Sequence, residues 1–250
     1  FFKKSYSHET SGKINNLTFQ IIEKNSALDR SNLKLKPLLN EDIFIKKFFN
    51  KRKRKGFYID IGCYHPLKFS QTHKLYKMGW NGINLDISKE SIELFNTFRP
   101  KDKNLNFGVS TKSEIRNAYF EKKISTLSSL DKDQLTNAFR KNKFSRKVKT
   151  ITIDQLFEEN KLLEVDFLKI DCEGLDFDIL KTINFDKFKI NFLSIEFIYS
   201  SGDFINKKNN NIESVHHQFL SSEIFNLLEK NFKLIDHFGF AFLLANKNIY

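Results

Sequence analysis

The sequence is poor in cysteine, with two in 250 residues. Cys63 and Cys172 make neither a disulfide framework nor a zinc site, which needs four ligands. They read as free thiols of a reducing compartment, although both follow strand ends expected to be neighbours, so a bridge between them stays open. No apolar run approaches the roughly 18 residues of a membrane span. Phe1-Phe2-Lys3-Lys4 leads into polar residues with no hydrophobic segment, so it is not a signal peptide. The cytoplasm is the expected compartment, and a chain that does not open on Met is expected to lack some N-terminal residues. Glycine is also scarce, nine in all. Only Gly62 stands where a G-x-G-x-x-G fingerprint needs three, so a pyrophosphate has no cradle and a nicotinamide dehydrogenase is disfavoured. Internal repeats are absent.

What the chain has is Phe, 28 of them, a hydrophobic content of 40% and a formal charge of +12. The first two describe an ordinary globular protein rather than a disordered one. Abundant Phe, Lys, Asn and Ile are also what an A/T-rich coding sequence supplies, so part of the composition is discounted, and part of the charge with it. A basic surface attracts nucleic acid, anionic glycans and membrane surfaces through one Coulomb term and does not choose among them. The length suits one sizeable α/β domain. The expected division is an N-terminal extension over 1–40 and a catalytic domain over 41–250.

The stretch Gly56 to Asp86 organises the chain. Phe57 to Ile61 reads as a buried parallel strand. Gly62 ends it, and Pro66 stands at the mouth of a helix from about Ser70 to Met78, with Gly79 as its C-cap. Asn81-Gly82 reads as a turn and Ile83 to Asp86 as the second strand of a βαβ unit. Open α/β sheets bind ligands outside the carboxyl ends of their strands, which gathers Asp60, Gly62 and Asp86. An acid ending the second strand suits the two hydroxyls of a ribose, and one at the first strand favours a cation. A nucleoside with a positive centre and no phosphates, such as S-adenosylmethionine, satisfies both.

Before this unit, Asn40 reads as the N-cap of a helix with Ile43, Phe44, Phe48 and Phe49, followed by the basic pentad Lys51 to Lys55, which is a docking patch for a phosphorylated or acidic substrate or, the preferred reading, a solvated helix end. After it, Ser88 caps a helix that Pro100 ends, and Leu105 to Val109 reads as a third parallel strand. Glu114 to Lys122 is a candidate hairpin strand, and Ser125 to Leu130 a loop of self-bonded hydroxyls. Asp131 to Lys149, dense in Arg and Lys, is either an acceptor-recognition insertion or a solvated loop. Val148 to Ile153 is a strand, and Asp154 the N-cap of a helix over Gln155 to Asn160. Val165 to Ile170 delivers Asp171-Cys172-Glu173-Gly174 to the crevice, and Asp176 and Asp178 open the next helix. Phe192 to Phe197 carries Glu196. Ile212 to Lys230 has helical periodicity, with His216 and His217 read as surface residues. Phe232 to Ile235 and Phe240 to Ala245 are strands flanking a turn with His237.

FYIDIGCYHP, then FSQTHKLYKMGWNGINLD, then DFLKIDCEGLDFDILK resembles the FkbM family of S-adenosylmethionine-dependent methyltransferases, from about Glu41 to Phe197. The pattern departs from the family's DIGANxG at Pro66, in place of a second glycine, and at Cys63 and Tyr64, in place of Ala-Asn. The resemblance implies a Rossmann-like class I methyltransferase fold: α/β, a mostly parallel seven-stranded sheet, an antiparallel C-terminal hairpin and helices on both faces. It implies S-adenosylmethionine as cofactor, held by Asp60, Gly62, Cys63, Tyr64, Asp86, Ile87, Ser110 and Asp171. It also implies transfer to a hydroxyl of a sugar in a glycan, or of a natural product.

If the family's strand order holds, Asp60, Asp171 and Glu196 converge, with Glu173 one loop further out. Crowded carboxylates raise one another's pKa unless a cation joins them, and the sulfonium is one such cation. A divalent metal is allowed but not expected, and no metal ligands are assigned. Displacement at the methyl carbon by an alcohol oxygen needs a base; the candidates are Asp171 and Glu173, then Glu196 and His65. The expected partner is a small-molecule or glycan hydroxyl acceptor, with no membrane span; nucleic acid is not the expected partner. The competing reading is a catalytically inactive methyltransferase-fold module that binds nucleic acid or an anionic polymer through its basic surface.

Overall fold

The structure is a computed structural model that describes residues 41–50, 55–132, 144–197, 212–238 and 240–249. In chain order these form α1 (Glu41–Phe49), β1 (Phe57–Ile61), α2 (His73–Lys77), β2 (Asn81–Leu85), α3 (Lys89–Phe98) and β3 (Lys103–Leu105). Next come β4 (Gly108–Val109), β5 (Ile115–Phe120), β6 (Ser128–Ser129) and β7 (Phe144–Ile151). The chain continues with α4 (Ile153–Glu159), β8 (Glu164–Ile170), α5 (Asp176–Lys181), β9 (Lys189–Glu196), α6 (Ile212–Leu220), α7 (Glu223–Leu228), β10 (Phe232–Phe238) and β11 (Ala241–Asn246).

Seven strands pair in the order β10-β11-β9-β8-β1-β2-β3. Every pairing is parallel except those made by β11, which is antiparallel to both β9 and β10. Strand alternation sorts the side chains to two faces. Ile59, Ile61, Leu168, Ile170, Leu193 and Ile195 share one core with Leu156 and Phe157 of α4, Ile179 and Leu180 of α5 and Phe219 of α6. Tyr58, Phe167, Phe192 and Leu243 face the other way, against Ile45 and Phe49 of α1, Leu75 of α2 and Trp80. Phe49 anchors that second layer, its ring centroid 4.9 Å from Trp80 and 4.9 Å from Phe192. Burying an aromatic of this size contributes about 1.5–3 kcal/mol.

The expected sheet is present, and several local readings change. The helix expected from Ser70 starts at His73, because residues 62 to 72 form a braced loop and Pro66 is part of it. Asn81 and Gly82 belong to β2 rather than a turn. Gly82 is there for space: a Cβ would lie 2.2 Å from the Tyr58 carbonyl oxygen and 2.4 Å from its ring. The single strand expected over Leu105 to Val109 is two, since the Asn106 side chain donates to the carbonyls of Asp86 and Ile87 between them. β3 stays on the main sheet and β4 joins a second one, β4-β7-β5-β6. β5 therefore pairs antiparallel with the distant β7 as well as with β6. Thr152, not Asp154, caps α4, its hydroxyl accepting from Gln155 N–H; Asp154 accepts from Asn184 N–H instead.

The helix expected over Ile212 to Lys230 is two, because Ser222 accepts from Phe225 N–H and caps a fresh start. His237 lies within β10, opposite Phe242, rather than in a turn. Ser125 to Leu130 is a loop only in part: its hydroxyls do accept from nearby backbone, Leu127 N–H donating to Ser125 Oγ and Asp131 N–H to Ser129 Oγ, but Ser128 and Ser129 form β6, drawn into pairing with β5. Asn40, most of the basic pentad and residues 133–143 of the basic insertion lie outside the described residues. No helix among the described residues is long and apolar enough to cross a membrane.

Candidate active site

The strand order reverses direction of travel between β1 and β8, and at such a switch point the flanking loops part to leave a crevice. Three polar residues cross the sheet there in register: Asp60 on β1, Lys169 on β8 and Ser194 on β9. All lie on the Tyr58 face and are 1%, 5% and 2% exposed. The Lys169 ammonium donates to the Gly62 carbonyl at 2.8 Å, and lies 3.1 Å from Asp171 Oδ2 and 3.5 Å from Asp60 Oδ1. Burial works against that charge, but Asp171 and Asp60 outweigh it and hold the lysine's pKa above its ordinary value. The cation expected between the crowded carboxylates is thus supplied, for two of them, by the chain itself.

The turn after β1 is fixed from three sides. Gly62 has φ +69, and a Cβ on it would lie 1.8 Å from the Asp171 carbonyl oxygen, so the two crevice loops touch through backbone there. Gly62 and Cys63 N–H both donate to the Leu85 carbonyl, at 3.0 and 3.1 Å. Arg99, fully buried, donates to the Pro66 carbonyl, Ser70 Oγ and Thr72 Oγ1; Thr72 in turn donates to Asp60 Oδ2 at 2.6 Å. This bracing holds Tyr64 and Phe69 at φ +55 and +52, which non-glycine residues seldom adopt.

His65 does part of the bracing. Its Nδ1 accepts from Leu67 and Lys68 N–H, both at 3.1 Å. Burial, then the charges of Lys68 and Arg99, lower its pKa to about 4. A neutral ring that caps a turn with Nδ1 carries its proton on Nε2, which is buried and has no hydrogen-bond partner.

Asp86 follows β2 and is 8% exposed. Its two oxygens accept separately, Oδ2 from Tyr64 N–H at 2.8 Å and Oδ1 from Ser88 N–H at 2.7 Å. Burial raises its pKa to about 6 against the pull of those two donors. Each oxygen keeps a further lone pair, so a carboxylate aimed this way can still accept from two neighbouring hydroxyls.

Across the crevice, carboxylate oxygens of Asp171, Glu173 and Glu196 lie within 4.8 Å of one another. Asp171 and Glu173 reach this position through a turn with Glu173 at φ +50 and Gly174 at φ +97. Asp176, at the start of α5, braces the turn by accepting from Cys172 and Gly174 N–H. Burial, then Asp171, raises the Asp176 pKa to about 7. Glu196 Oε2 is buried with no hydrogen-bond partner. Burial, then Asp171, Glu173 and Asp176, drives that carboxyl well above its usual range. Three oxygens so placed can share a proton, face a sulfonium or hold a hard divalent cation.

Residues 60–234 match the methyltransferase FkbM domain. The chain belongs to the FkbM methyltransferase family. It is an S-adenosylmethionine-dependent methyltransferase. No curated protein matches the sequence. Among solved structures, the chain is similar to the Burkholderia thailandensis 1,6-didemethyltoxoflavin-N1-methyltransferase, whose structure holds 1,6-didemethyltoxoflavin and S-adenosylhomocysteine. The identity is 10% and the TM-score 0.40, with 98% of this chain and 91% of that one covered. A TehB-like SAM-dependent methyltransferase from Corynebacterium glutamicum gives 10% identity and a TM-score of 0.40, over 95% of this chain and 100% of that one. The 16S rRNA methylase ArmA gives 11% and 0.35, over 84% and 83%.

In this FkbM methyltransferase the remaining residues expected at the site are spread around the crevice. The Cys63 side chain turns into the core against Ile92 and Phe95, leaving its backbone toward the turn. Tyr64 is half-buried, its ring 6.5 Å from Phe69. Ile87 packs on the Ala118, Phe120, Leu130 and Val148 cluster. Ser110 is buried, its hydroxyl accepting from Arg116 at 3.0 Å. Cys63 and Cys172 are both free thiols, and burial pushes both up in pKa. His216 stacks on His237 at 4.9 Å, so only His217 of that pair is fully at the surface.

Sequence reasoning missed Lys169, Arg99 and Thr72. Lys169 had a signal: a lone cation inside the apolar run Phe167 to Ile170, on a strand expected beside the one carrying Asp60. Arg99 had none, since it ends a helix beside Pro100 and meets the loop 27 to 33 residues away in sequence.

Proposed function

We propose that the protein is an O-methyltransferase acting on a hydroxyl of a sugar in a glycan, or of a natural product. Asp86 is the residue for the two ribose hydroxyls of the donor, by its place after β2 and the lone pairs its backbone donors leave over. The Gly62 to Tyr64 turn would receive the methionine end, Ile87 and Ser110 the adenine side, and the carboxylates around Asp60 and Asp171 the sulfonium. The buried, unpartnered Glu196 Oε2 supports a positive centre at that place, since an uncompensated carboxylate in a crevice asks for a cation or a proton. When bound, S-adenosylmethionine supplies the electrophilic methyl group.

The observation that carries the choice of oxygen over nitrogen is the Glu196 carboxyl, pushed up by burial and by Asp171 and Glu173. An alcohol must give up its proton as it attacks, and a neighbouring base contributes roughly 10²–10⁴ in rate. Of the clustered acids, Asp171 is already engaged by the Lys169 ammonium at 3.1 Å. The donor's sulfonium beside Glu196 would favour its ionised form, which then takes the acceptor's proton, and Glu173 stands next to it. His65 serves as a cap, its Nδ1 already accepting two backbone N–H groups. Holding donor and acceptor in line contributes about 7–11 kcal/mol of barrier lowering.

The test incubates the purified protein with S-adenosylmethionine and a panel of sugars, nucleotide sugars and glycans, beside amine and RNA acceptors, and reads methyl addition by mass spectrometry. Methyl ethers that disappear in Glu196→Gln, with donor binding kept, support the reading. Methylation confined to amines or RNA overturns it. Donor binding unchanged in Asp86→Ala overturns the placement of the ribose.

A further inference from the structure

Lys169 is a buried cation at the point where the donor turn and the acidic loop meet. It touches both: the Gly62 carbonyl on one side, and on the other Asp171, with Asp60 beneath. Counted as charges, Asp60 and Asp171 contribute two negatives and Lys169 one positive, a balance of one negative for this group. Burying an ammonium is costly unless it is paired, and a strand core could be built more stably from apolar side chains. The placement therefore points to a task beyond packing.

We propose that Lys169 is a positioning residue that limits the negative charge facing the donor's sulfonium, and so sets how strongly the enzyme prefers the charged donor over its neutral product. The inference rests on the donor-site reading above. During transfer the sulfonium loses its positive charge as the bond from sulfur to carbon breaks and the bond from carbon to the acceptor oxygen forms. The electron pair of the broken bond stays on sulfur, and the acceptor's proton leaves to a base. Two unscreened carboxylates would stabilise the fully charged ground state more than a transition state in which that charge is dispersing, which raises the barrier. By pairing with Asp171 and Asp60, Lys169 offsets one of their two charges and lessens that bias, while the acids around it still attract the donor. The tie to the Gly62 carbonyl keeps this charge fixed relative to the turn, so the field does not depend on a mobile side chain.

The experiment compares calorimetric affinities of the full chain for S-adenosylmethionine and S-adenosylhomocysteine, which differ by the methyl group and its charge. In Lys169→Met the ratio should move toward the charged ligand by roughly tenfold, the effect of one extra unit charge across a partly solvated crevice. Asp171→Asn should move it by a similar factor in the opposite sense. The charge-balanced double variant Lys169→Met/Asp171→Asn should return to the wild-type ratio. A merely structural role would weaken both ligands alike, so an unchanged ratio in Lys169→Met overturns the inference, as does a double variant that keeps the single variant's shift. If Lys169→Met alone does not fold, the double variant against Asp171→Asn gives the same comparison at one charge less. Wild-type protein that binds neither ligand overturns the donor-site reading, whereas binding of both with a ratio indifferent to Lys169 overturns only this inference.

Discussion

Asp60 and Lys169 stand opposite each other on neighbouring parallel strands, and their charged atoms meet at 3.5 Å inside the sheet. Through Thr72 the same aspartate is joined to Arg99, so a short chain of polar contacts runs from the end of α3 to the loop that carries Asp171. Two loops that lie far apart in sequence are thereby fixed to one another.

Gly62→Ala should disable the site. The substitution would put a Cβ 1.8 Å from a backbone oxygen that belongs to the facing loop, at a φ of +69. Neither loop can retreat without breaking the Lys169 contact. The strain alone costs about 1–3 kcal/mol, and the overlap adds to it. Chemical denaturation should show a loss of at least that size, and titration with S-adenosylmethionine should show little or no binding. A variant as stable as wild type would mean the loops are not in contact.

Arg99→Lys should behave much as Arg99→Ala does. A guanidinium presents its donors in a fixed fork, and here they serve the Pro66 carbonyl, Ser70 and Thr72 together. An ammonium cannot span all three. Breaking a buried charged network of this kind costs about 3–5 kcal/mol, and the thermal midpoint is the measurement. Rescue by lysine to within about 1 kcal/mol would show that charge alone matters there.

How much of this was legible beforehand follows from where the information lies. The main strands are legible because each is a local apolar run, and the strand order that the family resemblance implies sets β9, β8 and β1, which carry or lead into Glu196, Asp171 and Asp60, side by side, as the sheet has them. Gly82 was misread because an Asn-Gly pair signals a turn locally, while its real constraint is the Tyr58 ring across the sheet. The helix expected from Ser70 shortened for a similar reason: Ser70 and Thr72 are drawn to Arg99. Contacts between residues distant in sequence leave no periodicity, and the Arg99 brace is made only of such contacts.

Asp176 should make stability fall as pH rises from 6.5 to 8. Its carboxyl ordinarily titrates near 3.8 and is raised to about 7 by burial and by Asp171. The native state therefore holds a proton that the unfolded chain has already lost. The resulting stabilisation is complete below the unfolded value and disappears as pH passes the folded value. His65 runs the other way, since its pKa is lowered to about 4, but its window closes near 6.5; Glu196, raised in the same sense as Asp176, adds a fall of its own, so the comparison with Asp176→Asn isolates the Asp176 share. Thermal midpoints at pH 6.5 and 8 should differ in wild type and differ less in Asp176→Asn. Equal slopes in the two proteins would exclude Asp176 as the titrating group.

Asp86 should give donor affinity its own pH dependence. Burial raises its pKa to about 6, so the carboxyl is largely protonated at pH 5 and ionised at pH 7. A charged acceptor binds hydroxyl donors roughly twice as strongly as a neutral one. A protonated Asp86 would also have to spend its hydrogen where Tyr64 and Ser88 N–H already point at its oxygens. Affinity for S-adenosylmethionine should therefore rise between pH 5 and 7 and level off above. Asp86→Asn should bind more weakly at pH 7 and show a flatter profile, because an amide cannot ionise and offers one acceptor oxygen in place of two. S-adenosylhomocysteine carries the same ribose without the sulfonium, so it should follow the same rise. A rise confined to the charged ligand would place the titrating group at Glu196, whose carboxyl burial also raises, instead.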